Sequence, residues 1–249
     1  MERKQMHARG PTPRPPGQAL WATIAVGCAA AAAHADIVGK WTFDNRSVVA
    51  TAGDGSARLV GTQSAGWCSG ATGRRTDRSL GVRGFDSSGD QFYGGYRGVA
   101  FSLSTEGWDG LGVSWSQRID RNASRWVQFE YSLDGDHFQT DGLRNDGMIR
   151  VGRANAFLRF SMDLRGIDGI ADNERFAFRI VAAKDPTTRR YATVGRGGYR
   201  PTARWMIDSV TAVGSPFEGG GGSTPAPGAM GVAAIAGLLG RGRRRRTDR

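Results

Sequence analysis

The sequence predicts an all-β protein built on a single antiparallel β-sandwich, and three observations predict it. Apolar and polar residues alternate with a period of two in five separate segments, no stretch between Ile37 and Val213 shows helical periodicity, and Gly, Asp and Asn turns drawn from 38 glycines separate the segments. Many short strands at this spacing, wet on one face and dry on the other, suit a sandwich and not a βαβ fold.

A first strand is expected over 37–43. Val99, Phe101 and Leu103 alternate with polar or small residues, as do Leu111, Val113 and Trp115, with Trp108-Asp109-Gly110 read as their connection. The clearest strand is 126–133, where Val127, Phe129, Tyr131 and Leu133 alternate with Gln128, Glu130 and Ser132, and Asp134-Gly135 marks the turn that ends it. These three strands are expected to form an antiparallel meander. Leu158, Phe160, Met162 and Leu164 mark another, and Phe176, Phe178 and Ile180 a further one after the acidic loop 166–174. Trp205 and Ile207 open a last strand running to about Val213, expected to pair with the first.

Both ends read as addresses and not as parts of the fold. A basic, proline-rich leader, an apolar run over 19–33 and the Ala33-His34-Ala35 cleavage pattern make 1–35 a signal peptide, helical in its apolar part, with the mature chain starting at Asp36. Cys28 follows Ala25-Val26-Gly27, a degraded lipobox without Leu three residues before the Cys. The sandwich takes 36–216, a Gly-rich linker 217–224, and a tripartite end 225–249. That end begins Pro225-Ala226-Pro227-Gly228, continues through an apolar stretch of 13 residues to Gly240, expected as a short helix, and closes on Arg241, Arg243, Arg244, Arg245 and Arg246. A permanent spanning helix needs roughly 20 apolar residues, so this one suits a transient hold in a membrane with its cations on the cytoplasmic side.

The basic character lies mostly in those ends. Of the formal charge of +11, the stretch 36–216 holds only +4, from 24 Lys and Arg against 20 Asp and Glu. A nucleic-acid partner therefore loses its support. The stretch carries one cysteine, Cys68, so it can form no internal disulfide; with Trp67 beside it, Cys68 is expected to be buried.

The tripartite end resembles the PEP-CTERM sorting signal, departing from it where Ala226 stands in place of Glu. The resemblance implies an exosortase-type protease cutting near Pro225 to Pro227, an inner membrane held transiently, and a destination outside it, extracellular or on the surface of a Gram-negative cell. Trp41-Thr42-Phe43-Asp44, 129–135, 176–181 and 205–210 look like segments of PEP-CTERM extracellular proteins, which resemble jelly-roll, galactose-binding-like sandwiches. That likeness implies architecture and transfers no catalytic residue.

Chemistry has few carriers in the stretch 36–216. His137 is its only histidine, no nucleophile-elbow motif accompanies it, zinc spacing is missing, and Gly195-Arg196-Gly197-Gly198 lacks the strand-loop-helix frame of a nucleotide site. Asp134, Asp136, Asp141 and Asp146, with Asn145, are candidate calcium ligands, opposed by a reading as solvated turn residues; no other cofactor is expected. Asp168, Asp172, Asn173 and Glu174 form a second acidic loop with the same two readings. Loop aromatics Tyr93, Tyr96 and Tyr199, set among glycines with few neighbours to bury against, are candidate contacts for polysaccharide, because a ring receives the apolar face of a sugar. The sequence thus points to an exported, non-catalytic surface or matrix protein. Two alternatives stand beside it: a carbohydrate-active enzyme, whose carboxylate pair no sequence spacing reveals, and a membrane-retained surface protein.

Overall fold

Period-two alternation becomes, in three dimensions, strands that each bury one face. The computed structural model describes residues 35–61, 64–85 and 97–217. Its strands are β1 (Asp36–Trp41), β2 (Ala52–Gly53), β3 (Gly55–Val60), β4 (Ser64–Ser69), β5 (Arg78–Arg83), β6 (Gly98–Leu103), β7 (Trp108–Ile119), β8 (Trp126–Ser132), β9 (Met148–Arg150), β10 (Leu158–Asp163), β11 (Ala177–Ala183) and β12 (Trp205–Pro216). The one helical turn among the described residues is the 3₁₀ segment Arg144–Gly147. A seven-stranded sheet runs β10-β7-β12-β1-β2, with β5 also on β12 and β4 on β5; a five-stranded sheet runs β3-β6-β11-β8-β9. All pairings between these strands are antiparallel. The chain is an all-β sandwich, and β1 and β12, the first and last strands, do pair.

The expected meander does not form. β6 and β8 lie in the five-stranded sheet on either side of β11, whereas β7 belongs to the other sheet. Trp108 is the first residue of β7 and not part of a connection; the crossing between sheets is made by residues 104–107. Alternation says that a strand buries one face, but either sheet satisfies that equally.

Aromatic rings fill the space between the sheets. Phe178 stacks on Phe101 at 4.9 Å and on Phe129 at 5.4 Å, Trp115 stacks on Phe129 at 5.7 Å, and Trp41 meets Phe101 edge-on at 5.1 Å. All five are essentially inaccessible to water. Burying each such side chain stabilises the fold by about 1.5–3 kcal/mol, and ring geometry adds about 0.5–1.5 kcal/mol per pair. Packing between strands is as tight: a Cβ on Gly98 would sit 1.9 Å from the Ile180 carbonyl oxygen, so β6 approaches β11 there only because the residue is glycine.

β12 changes neighbours along its length, and a bulge makes the change. Its first residues pair with β5 and the later ones with β1, while the register against β7 slips between Asp208 and Thr211. Ser209, in the slip, has a positive φ of 50°. An extra residue of this kind bends the strand and lets it serve two partners.

Cys68 departs from expectation: it is half-buried on β4, a strand at the edge of its sheet, and Trp67 beside it is 37% exposed. The indole tilts against Phe43 at 6.4 Å. Ala35 is exposed at the start of the described chain, while the signal segment with Ala33, the linker after Phe217, the sorting motif from Pro225 to Gly228 and the arginines Arg241 to Arg246 lie outside the described residues. Among the described residues no helix is long and apolar enough to cross a membrane.

Candidate functional site

The outward face of the five-stranded sheet is built from registered rows of side chains. One row runs Ser56, Ser102, Ala177, Ser132 across β3, β6, β11 and β8, and the next runs Arg58, Ala100, Arg179, Glu130. Ala177 and Ser132 are buried, whereas Ser56 and Ser102, small and exposed, keep the sheet surface low at one end of the first row. Asp54, Ser104, Arg175, Glu174 and the turn Asp134-Gly135-Asp136 rise around it, and together they bound an open groove of ≈ 800 Å³. That volume lies inside the roughly 300–1,000 Å³ range of small-ligand sites. The groove presents hydroxyls, carboxylates and guanidiniums, the groups that exchange hydrogen bonds with a polyol.

Its second row is closed by an ion pair. Arg179 binds Glu130 through Nε and Nη2, the side chains are 12% and 10% exposed, and the Phe138 ring lies 4.3 Å from the Arg179 guanidinium carbon. Burial pushes the Glu130 carboxyl above its ordinary pKa, against the opposing pull of Arg179. This cluster walls one side of the face and has a structural role.

Asp134 is spent locally. One carboxylate oxygen accepts from Ser132 Oγ at 2.9 Å and from the backbone amides of Asp136 and His137 at 2.9 and 2.8 Å; the other meets His137 Nδ1 at 2.6 Å. The His137 and Asp136 contacts hold Asp134 well below the usual carboxylate range, and Asp134 raises His137 in turn. The arrangement is an Asp-headed turn with an exposed histidine, 92% accessible at its side chain. Cys68 lies on β4 of the other sheet and forms no Cys–His pair with His137.

The remaining calcium candidates do not converge. Asp141 accepts from Tyr131 Oη through its backbone oxygen at 2.9 Å, and Asn145 and Asp146 adopt left-handed conformations in the 3₁₀ turn. Among the described residues no three His, Cys, Asp or Glu side chains group as a metal site.

Tyr93 and Tyr96 lie outside the described residues. Tyr199 has a neighbour that its glycine-rich context conceals: Tyr191 stacks on it at 4.6 Å, and both pack, half-buried, against the core. The loop carrying them is fastened by Asn122 Nδ2 donating to Gly198 O at 2.8 Å and by Arg125 N donating to Ala192 O at 2.8 Å. The groove residues Ser56, Ser102 and Arg175 escape sequence reasoning, since a serine in an alternating strand reads only as its wet face; Glu174 and Asp136 were legible as acidic loop residues.

No protein-family model matches the chain, and no curated protein matches it. Several solved structures are similar at low identity. The CBM22-1 xylan-binding domain from Paenibacillus barcinonensis Xyn10C is 11% identical, with 75% of this chain and 99% of that one covered and a TM-score of 0.43. The xylan-binding module CBM15 is 13% identical over 65% of this chain and 91% of its own, with a TM-score of 0.40. Domain 4 of AbnA, an extracellular arabinanase from Geobacillus stearothermophilus, is 10% identical over 73% and 94%, with a TM-score of 0.40.

Proposed function

We propose that this chain is an exported, non-catalytic surface or matrix protein that holds polysaccharide in the groove at one end of its five-stranded sheet. The observation that carries the reading is the low floor of Ser56 and Ser102 beneath walls of carboxylates and guanidiniums. An open groove accommodates a chain that passes through it, and each hydrogen bond to a sugar hydroxyl adds about 1 kcal/mol, or about 1.5–3 kcal/mol where the protein group is charged.

The state of Asp134 supports binding without turnover. A glycosidase acid needs a raised pKa, whereas Asp134, at the wall of the groove, is displaced downward. The carboxyls that burial pushes up, Glu130 and Asp208, lie elsewhere: one is paired with Arg179, the other is on β12 of the opposite sheet.

Export and sorting complete the proposal. The tail's resemblance to a PEP-CTERM signal supports cutting near Pro225 to Pro227 by an exosortase-type protease after a transient hold in the inner membrane. Deleting residues 241–249 should leave the protein in the membrane fraction with no loss of mass at its C-terminus. Equal release of both forms without C-terminal cutting would overturn this part.

For the groove, affinity electrophoresis of the full-length protein over a polysaccharide panel should find retardation that Ser102→Arg removes, because a long side chain then lies across the floor. Unchanged retardation in that variant would move the ligand off this face.

A further inference from the structure

The outward face of the seven-stranded sheet carries a second, differently charged hollow. Met206 of β12 stands between Arg118 of β7 and Gly81 of β5, and Gly81 faces Gly66 of β4. The glycines keep the surface low: a Cβ on Gly66 would touch nothing within 4 Å, and one on Gly81 would meet the Cys68 sulfur, which lies over it. Arg78 and Arg204 join Arg118 around Met206 and Cys68 in a basin of ≈ 360 Å³.

Charge in the basin is unbalanced. Among the described residues Asp120 is the only carboxylate lining it, and its contact with Arg204 Nε is a long 4.0 Å. No ion pair joins Arg78 or Arg118 to a carboxylate among the described residues, and Arg118 Nε is buried without a hydrogen-bond partner. The guanidinium forks of the three arginines match the paired oxygens of an oxyanion. Met206 offers an apolar surface beside that charge.

We propose that this basin binds an oxyanion carried on a sugar, the carboxylate of a uronic acid or a sulfate ester, as a second polysaccharide contact on the sheet opposite the groove. That the oxyanion is borne by a sugar rests on the polysaccharide reading above; the anion site itself does not.

Cys68 lies in the basin and supplies the readout. Alkylation of the full-length protein by iodoacetamide, followed at the Cys68 peptide by mass spectrometry, should be slowed by oligogalacturonate and not by its methyl ester. Arg118→Gln should weaken this protection roughly tenfold or more. Arg159→Gln, which removes the same charge from β10 of the same sheet, should leave it intact, as should Ser102→Arg in the groove. Protection by a sulfated oligosaccharide in place of oligogalacturonate supports the proposal with sulfate as the source. Equal protection by the methyl ester, full protection in Arg118→Gln, or equal loss in Arg159→Gln would overturn it. Inorganic sulfate protecting as well as either oligosaccharide would overturn the sugar part and leave the groove reading standing. Loss of groove binding in Ser102→Arg with Cys68 protection preserved shows the two sites to be independent.

Discussion

Arg179 and Arg118 both point outward from strands inside the two sheets, yet their surroundings differ completely. Arg179 sits opposite Glu130 and beneath Phe138, nearly sealed from water. Arg118 sits opposite Met206, with no counter-ion among the described residues, at the margin of an open basin. One residue type on one kind of strand is thus a structural element on the first sheet and an available cation on the second. What decides between the two is the residue one strand over.

The largest expected effect breaks the sealed pair. Arg179→Met leaves the Glu130 charge buried and uncompensated, and should lower the unfolding free energy by about 3–5 kcal/mol at neutral pH. The deficit should shrink on acidification, because burial already raises Glu130 and its neutral form needs no partner. Denaturant titration at two pH values measures this. A loss below about 1 kcal/mol would mean that the pair is not structural.

A smaller effect belongs to the closed part of the other face. Asp208 accepts from Ala71 N at 2.7 Å and Ser209 N at 2.6 Å, is fully buried, and burial raises its pKa to about 6. A raised carboxyl binds its proton more tightly in the folded state. Its stabilising contribution is therefore present below the ordinary carboxylate pKa and lost as pH rises through about 6. Stability should fall between about pH 4 and about pH 6 by at most about 3 kcal/mol, and Asp208→Asn should flatten that slope. A slope that survives the substitution would assign it to another group.

The glycines sharpen the contrast further. Gly98→Ala forces a Cβ against Ile180 O and should cost about 1–3 kcal/mol, whereas Gly66→Ala enters open space and should shift stability by less than about 0.5 kcal/mol. Thermal unfolding distinguishes the two. The last effect is at Arg118: Arg118→Gln takes away a buried donor that has no partner and should therefore not lower stability, while it weakens Cys68 protection by an acidic oligosaccharide.

Sequence legibility followed side-chain size. Strands whose inward positions carry large apolar residues, such as Val127, Phe129 and Tyr131 in β8, announced themselves by alternation. β4, with Ser64-Ala65-Gly66-Trp67-Cys68-Ser69, and β5, with only Leu80 and Val82 as large apolar residues, did not. Membership of a sheet was invisible too, because β6 and β7 alternate alike and pack from opposite sides of the core. At the candidate site the sequence exposed Asp134, Asp136 and Glu174 as acids but not their common wall. The serines opposite them become a floor only when distant strands come into register.

The central claim is that the five-stranded face binds polysaccharide without cutting it. Calorimetric titration of the full-length protein with the panel member most retarded by it, with reducing ends assayed over the same incubation, tests that directly. The account predicts saturable binding with a Kd in the range of about 1 μM to 1 mM, abolished by Ser102→Arg, and no growth in reducing ends. Reducing ends that rise with time and stop on loss of Asp136 or Glu174, or a Ser102→Arg variant that binds as the unaltered protein does, would contradict it.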